Sequence, residues 1–429
     1  MTSTSVQDPR VPQASPLRSL WPGPGAVRTA WSPRGRGTDY LAIPSPSAPR
    51  LLVPVAVPGA DRLLQRHGGG RRTRAGRAAW RLVHRARAAR WAPLPRLRVQ
   101  PGPDGVERFL ADALGHPVRI GVLLGPPRAN LKPVLPVFAP DGHVVAFAKV
   151  GTSAVTAPLL ATEARALELL GGKQLRHVTT PRLLAYGRLE RGEAPQLPVL
   201  VQQALPLATS GAGQVAGPAG TPLQAVAEIA AVCGLRREQL RQSDFWRSVA
   251  PVDESVWQGV DVGAFAQLHD AVPDGVDVVL GAWHGDLGPW NVAQGRDRLE
   301  VWDWERFETG VPAGLDAAHW RVQVDLMNAT AAAPSWPTLR REVAASLGAL
   351  AEQDAGAAAF LPDDVEQAAA VVAACYLLAI WARYRRDAPE VATPALRRRV
   401  RWLCELAAVV SQTWPASQTS TNPMEGNDR

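Results

Sequence analysis

The sequence predicts an α+β protein with a strand-rich first part, a mostly helical second part and an extra basic segment at the N-terminus. Short apolar runs bounded by turn residues, which are typical of strands, recur between residues 115 and 203. After residue 222 the apolar residues recur at helical spacing instead. The first 110 residues contain 19 arginines, no lysine and five acids, in a chain whose net charge is +8. A chain of 429 residues is too long for one compact core, so more than one domain is expected.

The N-terminal segment is predicted to have two parts. Residues 1–36 are rich in Pro, Ser, Gly and Arg, and we expect a disordered tail there. Residues 37–100 contain two apolar strand-like runs, Tyr40–Ile43 and Leu51–Val57, and a basic helix over Arg77–Arg90. Apolar runs need a partner, so we expect this extension to pack on the domain that follows it. An arm that binds nucleic acid or another polyanion is the alternative, but few aromatic side chains are present for stacking.

Residues 101–205 are predicted to form the strand-rich domain, with Asp141-Gly142 as a hairpin turn. The predicted helices are Val106–Leu114 and Ala161–Leu170. The predicted strands are Val118–Leu124, Val134–Phe138, Val144–Val150, Arg182–Tyr186 and Leu197–Gln202. Residues 206–221, which are rich in Pro, Gly, Ser and Thr, are expected to be a linker.

Residues 222–410 are predicted to form the helical domain, followed by a disordered tail over residues 411–429. The predicted helices are Leu223–Val232, Gly263–Ala271, Leu315–Asn328, Leu339–Gln353, Val365–Tyr384 and Pro394–Val410. The longest apolar run, Ala368–Ala382, is short for a membrane span, so we expect a buried helix. The three cysteines are scattered and the first 20 residues lack an apolar stretch, which favours a cytoplasmic location.

Three oxygen-bearing side chains stand out in the second half of the chain. Asp286 and Asn291 follow the apolar strand at Val278–Leu280, and Asp303 follows a second apolar strand. Loops at the ends of a small hairpin would bring the three together. Phosphoryl transfer needs this set, because one carboxylate accepts the proton of the attacking hydroxyl while an amide and a second carboxylate hold Mg²⁺.

The segment from His284-Gly285-Asp286 to Asn291, with Asp303 after it, resembles the catalytic signature of the aminoglycoside phosphotransferase and choline kinase group. The resemblance implies a protein-kinase-like two-lobe fold, with Asp286 as catalytic base and His284 as an orienting residue. It also implies that Asn291 and Asp303 bind Mg²⁺. Two acids near the site, Asp316 and Glu305, are expected to have structural roles.

A kinase of this group needs a cation on the nucleotide phosphates, and Lys149 in the third predicted strand of the domain is the candidate. An ion pair with Glu163, at the start of the next helix, would hold the lysine on the phosphates. Glu168 on the same helix is the alternative partner. The backbone of Gln203, Ala204 and Leu205 is expected to face a purine.

The loop between the first two strands departs from the group's pattern, because Gly125–Pro133 has one glycine where a glycine- or serine-rich turn is usual. Arg128, Asn130 and Lys132 could bind phosphate through their side chains instead. An ordinary proline-rich loop without a role in binding is the alternative.

These residues predict an ATP- or GTP-dependent phosphotransferase that requires Mg²⁺ and acts on a hydroxyl of a small molecule of the aminoglycoside, sugar or amino alcohol type. The C-terminal region mixes acids with arginines and has no acidic cluster, so the acceptor stays open. Two alternatives remain: a kinase-like binding module without turnover, and a protein that binds anionic polymers through its arginine-rich arm. The sequence indicates no oligomeric state.

Overall fold

The computed structural model describes residues 16–412, except for 24, 31–35, 59, 61–95, 101, 103, 126–129, 206–219, 252–255, 328–334, 354, 362–363 and 389–391. The helices within these residues are α1 Pro16–Leu20, α2 Val106–Leu114, α3 Thr156–Gly171, α4 Leu223–Ala231, α5 Asp244–Val249, α6 Gly263–Ala271, α7 Leu315–Met327, α8 Trp336–Gln353, α9 Ala355–Phe360, α10 Val365–Asp387 and α11 Pro394–Ser411.

The strands, in chain order, are β1 Val27–Ala30, β2 Thr38–Ile43, β3 Leu51–Pro54, β4 Arg96–Val99, β5 Arg119–Ile120, β6 Val122–Leu123, β7 Val134–Phe138, β8 Val144–Val150, β9 Val178–Thr179, β10 Leu183–Leu189, β11 Leu197–Gln203, β12 Arg236–Gln239, β13 Val256–Trp257, β14 Val260–Asp261, β15 Asp277–Trp283, β16 Val292–Gln294, β17 Leu299–Val301 and β18 Glu308–Pro312. The chain divides into two units. One spans Met1–Gly217 and Trp290–Arg306, and the other spans Pro218–Pro289 and Phe307–Arg429. Strands dominate the first unit and helices the second, which confirms the predicted α+β class.

The first unit is built on a sheet of ten described strands in the order β1-β4-β2-β3-β6-β7-β8-β11-β10, with β5 paired to β7. Strands β7 and β8 form the antiparallel hairpin that Asp141-Gly142 predicts, since Gly142 has a φ of 85°. Alternate residues of β8 are fully buried, namely Ala146, Ala148 and Val150. These small side chains leave room for the apolar core of the unit on that face of the sheet.

Strands β2, β3 and β4 extend this sheet, because β3 pairs with β6 through the register Leu51↔Leu123. Two arginines of β4 lie inside the unit rather than on its surface. Arg98 Nε donates to Asp39 Oδ1 at 2.6 Å, and Arg96 lies 3.4 Å from the other oxygen of the same carboxylate. Both arginines are at most 5% exposed, so these two cations are not offered to a polyanion.

The expectation of a disordered tail over residues 1–36 is wrong for the stretch that begins at helix α1. Leu17, Leu20 and Trp21 are at most 1% exposed and belong to the same core as Tyr40. Trp21 packs against Tyr40 with 5.7 Å between ring centroids, and its Nε1 donates to Glu107 Oε2 at 2.7 Å. The predicted helix at Arg77–Arg90 and most of the predicted linker and C-terminal tail lie outside the described residues.

Replacing Trp21 by Ala is expected to destabilise the protein by about 3–5 kcal/mol, the usual cost of truncating a buried Trp. The change also removes the hydrogen bond to Glu107, whose burial raises its pKa above the ordinary value of a glutamate. Denaturant unfolding of the full chain measures the effect. Tyr186→Ala is the matched control, because Tyr186 is 44% exposed and its loss should cost little. Equal stability of both variants would contradict the buried position of Trp21.

The second unit packs its helices around α10 and next to the three-stranded sheet β12-β15-β18. Helix α10 is buried at its centre, where Val371, Leu377 and Ile380 are at most 1% exposed. Aromatic rings fill the space beside them: Trp381 stacks on Phe265 at 4.9 Å and meets Trp257 edge-on at 5.5 Å.

Helix α10 is longer than the sequence suggested. Its 23 residues make it long and apolar enough, by length and composition alone, to cross a membrane. By length, the helix could therefore span a membrane, contrary to the expectation from the Ala368–Ala382 run. However, 78% of its most apolar window is buried within the protein, which favours the core helix that the sequence predicted.

Candidate active site

A small hairpin in the first unit carries two of the three predicted oxygen donors. It is formed by β16 and β17, with Asn291 just before β16 and Asp303 two residues after β17. The backbone N–H of Trp302 donates to the carbonyl of Asn291 at 3.1 Å, which ties the two ends together. The strand before Asp286 is not part of this hairpin, because β15 pairs with β12 and β18.

Asp303 has a backbone conformation that is uncommon for a residue with a side chain. Its φ is 69°, in the left-handed region, and Gln258 is the other non-glycine residue in the described part of the chain with a positive φ. Asp and Asn adopt this region more readily than most residues, and positions held there cluster at functional sites. The turn after β17 therefore aims the Asp303 carboxylate in a fixed direction.

Lys149 contacts both the Asp303 carboxylate and Glu163 on α3, its predicted partner. Its Nζ lies 2.5 Å from Glu163 Oε1 on α3 and 2.5 Å from Asp303 Oδ1. Lys149 is 5% exposed and Glu163 is fully buried, whereas the alternative partner Glu168 is exposed. Burial lowers the pKa of Lys149, but the neighbouring carboxylates outweigh it and hold that pKa above its ordinary value. The ammonium is therefore charged.

A second lysine joins the cluster from the loop that departs from the family pattern. Lys132 is 5% exposed, forms an ion pair with Glu305 and lies 3.6 Å from Asp303 Oδ1. Asn130 Nδ2 approaches Glu305 Oε1 at 3.5 Å. Both side chains thus contact the cluster of carboxylates that includes Asp303 and Glu305. Arg128, the third predicted residue of this loop, lies outside the described residues.

The acids of this cluster fit a hard divalent cation. Carboxylate oxygens of Glu163, Asp303 and Glu305 lie within 4.8 Å of one another, and oxygen ligands are what Mg²⁺ prefers. Asn291, beside Trp302 at the same open end of the hairpin, is 4% exposed. Two ammonium groups share the three acids, so Lys149 and Lys132 already neutralise most of their charge.

Part of the segment predicted to face a purine is hydrogen-bonded to neighbouring strands and loops of the protein. The N–H of Gln203 donates to the carbonyl of Arg182 at 2.8 Å, and the N–H of Ala204 donates to the carbonyl of Val145 at 3.0 Å. These two donors are paired within the protein, so the expectation that they bind a base is wrong for the N–H groups. Leu205 is 8% exposed at the end of the same segment.

The second unit holds the loop that contains His284 and Asp286. Asp316, at the start of α7, accepts hydrogen bonds from the backbone N–H of His284 at 2.7 Å and of Gly285 at 3.1 Å. Burial raises the pKa of Asp316 to about 7, although the two N–H donors act in the opposite direction. The expected structural role of Asp316 therefore has a physical basis: the side chain fixes the backbone that precedes Asp286.

His284 acts on the same loop through its ring, since Nδ1 lies 3.2 Å from the backbone N of Asp286. It is fully buried, which suits an orienting residue better than an acid or base that exchanges protons with solvent. Arg383 of α10 donates to the carbonyl of Gly285 at 2.5 Å and lies over the ring of Trp283 at 4.8 Å. The loop is thus fixed from both sides.

Two residues that sequence reasoning missed lie behind Asp286. His319 of α7 places Nε2 3.2 Å from Asp286 Oδ1, and Tyr376 of α10 places its hydroxyl 3.2 Å from His319 Nδ1. His319 is 2% exposed and Tyr376 is fully buried, whereas the side chain of Asp286 is 32% exposed. The carboxylate is therefore held from within while part of it stays accessible.

No protein-family model matches the chain, and no curated protein matches it. Solved structures of small-molecule kinases resemble it at low sequence identity. A thermostable mutant of aminoglycoside phosphotransferase APH(4)-Ia, in a ternary complex with ADP and hygromycin B, is 14% identical over 73% of this chain and 99% of its own, with a TM-score of 0.42.

The amicoumacin kinase hAmiN, in complex with AMP-PNP, Ca²⁺ and Ami, is 11% identical over 68% of this chain and 89% of its own, with a TM-score of 0.41. A microcompartment-associated aminopropanol kinase is 12% identical over 71% of this chain and 96% of its own, with a TM-score of 0.44. All three are small-molecule kinases, and their likeness to this chain concerns the fold.

Proposed function

We propose that the protein is a phosphotransferase that uses ATP or GTP and Mg²⁺ to phosphorylate a hydroxyl of a small molecule. The observation that carries this proposal is the contact of Lys149 with both Glu163 and Asp303. A strand lysine paired with a helix glutamate, next to a metal-binding aspartate, is the arrangement that protein kinases use to hold nucleotide phosphates. Lys149 and Glu163 come from a strand and the helix that follows it, whereas Asp303 lies 154 residues beyond Lys149 in the chain.

Each residue then has a chemical task. Lys149 binds the phosphates, with Glu163 holding the ammonium in place, and Lys132 adds a second cation from its loop. Asp303 and Asn291 would hold Mg²⁺, which when bound neutralises phosphate charge. Asp286 accepts the proton of the attacking hydroxyl, and Asp316 and His284 orient the loop that carries it.

Purified protein incubated with ATP or GTP, Mg²⁺ and a panel of hydroxyl metabolites is expected to release the nucleoside diphosphate and form a phosphomonoester. Phosphorus NMR detects both products and identifies the acceptor among aminoglycosides, sugars and amino alcohols. Chelation of the metal by EDTA should abolish the reaction, because uncompensated phosphate charge then faces the attacking oxygen. Undiminished turnover in EDTA would contradict the proposal.

The alternative of a catalytically silent module makes a different prediction. It would bind nucleotide without releasing diphosphate even in a single-turnover experiment with protein in excess. The burial of Arg96 and Arg98 against Asp39 weakens the third reading, a polyanion-binding arm, for the described part of that segment.

A further inference from the structure

A buried chain of hydrogen bonds runs from Asp286 into the core of the second unit. His319 and Gln323 lie one helical turn apart on α7, and both face Tyr376 of α10. Both polar side chains of α7 are 2% exposed and Tyr376 is fully buried. Buried polar groups are retained where they are hydrogen-bonded, and here the outer end of the chain is the proposed catalytic base.

The chemistry of each group sets the direction of these hydrogen bonds. An ionised carboxylate only accepts, so Nε2 of His319 donates to Asp286 Oδ1. In a neutral imidazole the other nitrogen is then an acceptor, so the Tyr376 hydroxyl donates to Nδ1. The two contacts are mutually consistent with a single tautomer of His319.

We propose that His319 and Tyr376 are positioning residues for the base, in that Tyr376 fixes the Nε2–H tautomer of His319 and His319 fixes and stabilises the ionised carboxylate of Asp286. This inference rests on the proposed function, because it gives these residues a role in phosphoryl transfer. A hydrogen bond to the charged form of a carboxylate favours ionisation, so Asp286 stays ready to accept a proton at lower pH.

In the reaction, the acceptor oxygen forms a bond to the γ-phosphorus while the bond from that phosphorus to the bridging oxygen of the nucleotide breaks. The proton of the acceptor hydroxyl passes to Asp286, and the electron pair of the broken bond stays on the departing diphosphate. His319 keeps its own proton throughout. Asp286 returns the acquired proton to solvent through its exposed side, since 32% of the side chain is accessible.

Other charged and titratable groups lie near His319 and Asp286 and influence how the protonation of these two residues depends on pH. Arg383 and Arg399 act on His319 as cations, and Asp316 and the ring of His284 adjoin the loop of Asp286. Burial lowers the pKa of His319, and the carboxylate of Asp286 only partly offsets that effect. The imidazole is therefore neutral near pH 7, as the hydrogen-bond directions require.

Two variants of His319 separate positioning from mere packing. His319→Ala should lower kcat about tenfold to 100-fold, the usual cost of losing an orienting partner, with the KM for nucleotide within about twofold. His319→Gln keeps an N–H at the position of Nε2 and should recover a large part of that loss. The matched control is His269→Ala, a second largely buried histidine of the unit that packs on Trp246 away from the base.

The pH dependence of kcat/KM tests the positioning role, because the loss of a residue that only packs would not shift it. In His319→Ala, the acidic limb of kcat/KM should shift upward by about one pH unit, because the carboxylate loses a donor that favours its charged form. Tyr376→Phe should shift the same limb in the same direction by a smaller amount. An unmoved limb in folded His319→Ala, or a Gln variant as impaired as the Ala variant, would overturn the proposal.

Nitrogen-15 NMR of the histidine rings tests the pair without any turnover. The His319 resonances, assigned by their absence in His319→Gln, should report the Nε2–H tautomer in the wild type and a mixture of tautomers in Tyr376→Phe. A wild type that phosphorylates hydroxyls but carries the Nδ1–H tautomer would refute the positioning role alone. A wild type without any turnover would refute the proposed function, and the ring tautomer would still decide whether Tyr376 orients His319.

Discussion

Replacing Asp286 by Ala or Asn is expected to lower turnover roughly 10²–10⁴-fold, the usual contribution of a positioned general base. Nucleotide binding should change little, since Lys149, Glu163 and Asp303 belong to a different unit from Asp286. Steady-state kinetics on the acceptor found in the metabolite panel measure the first effect. Titration calorimetry with a non-hydrolysable nucleotide measures the second.

The Asp286→Ala and Asp286→Asn variants are expected to differ in stability, which separates an effect on catalysis from an effect on folding. Asn keeps an oxygen that can accept from His319 Nε2, whereas Ala leaves that buried donor without this acceptor, at a cost of about 1–3 kcal/mol. The Asn variant should therefore unfold near the wild-type denaturant concentration and still lack activity. Asp270→Ala, at a side chain that is 82% exposed in the same unit, is the control for both measurements. Wild-type turnover in the Asn variant would remove Asp286 from the role of base.

Local sequence signals were sufficient where one segment determines its own structure. The helices Val106–Leu114 and Gly263–Ala271 and the strand Val134–Phe138 have the bounds that their apolar spacing predicted. Helix α3 begins at Thr156, five residues before the prediction. At its start the hydroxyls of Ser153 and Thr156 accept from each other's backbone N–H, and Pro158 is tolerated in the first turn of a helix.

The N-terminal segment shows what local signals miss. Helix α1 has five residues, too few to show helical periodicity, and it is stable only because Leu17 and Leu20 enter a core built by later strands. Composition predicted disorder there because Pro and Gly surround the helix. Long-range contacts, such as that of Trp21 with Glu107, are not encoded in any short window of sequence.

The contacts of the candidate site likewise divide into those that local sequence predicts and those that depend on long-range packing. Lys149 and Glu163 are 14 residues apart on a strand and the next helix, so their pairing could be expected from order and spacing. His319 lies 33 residues from Asp286 and 57 from Tyr376, on helices whose relative position depends on packing of the whole second unit. A polar residue at an otherwise apolar position of a core helix, such as Tyr376 among the buried residues of α10, was the signal available.

Replacing Asp303 by Asn is the second change expected to have a large effect, because this carboxylate has two tasks. It is the proposed charged ligand of Mg²⁺, and it contacts the ammonium of Lys149 at 2.5 Å. We expect turnover to fall at least about 100-fold, and the Mg²⁺ concentration for half-maximal rate to rise, since a neutral amide is a weaker ligand than a carboxylate. Asn accepts the left-handed backbone at φ 69°, so the turn should persist where Ala would add strain.

Metal titrations of the rate, paired with denaturant unfolding, distinguish loss of a ligand from loss of the fold. Asp297→Asn is the matched control, because Asp297 is an exposed aspartate in the turn of the same hairpin. If the Asp303 variant is folded and its rate saturates at the wild-type Mg²⁺ concentration, Asp303 does not bind the metal. In that case Lys149 would depend on Asp303 only as a counter-ion, and Glu163 and Glu305 would be the remaining acids of the cluster to test as ligands. A shifted Mg²⁺ requirement with unchanged stability would instead assign the metal to the hairpin end that Asp303 occupies.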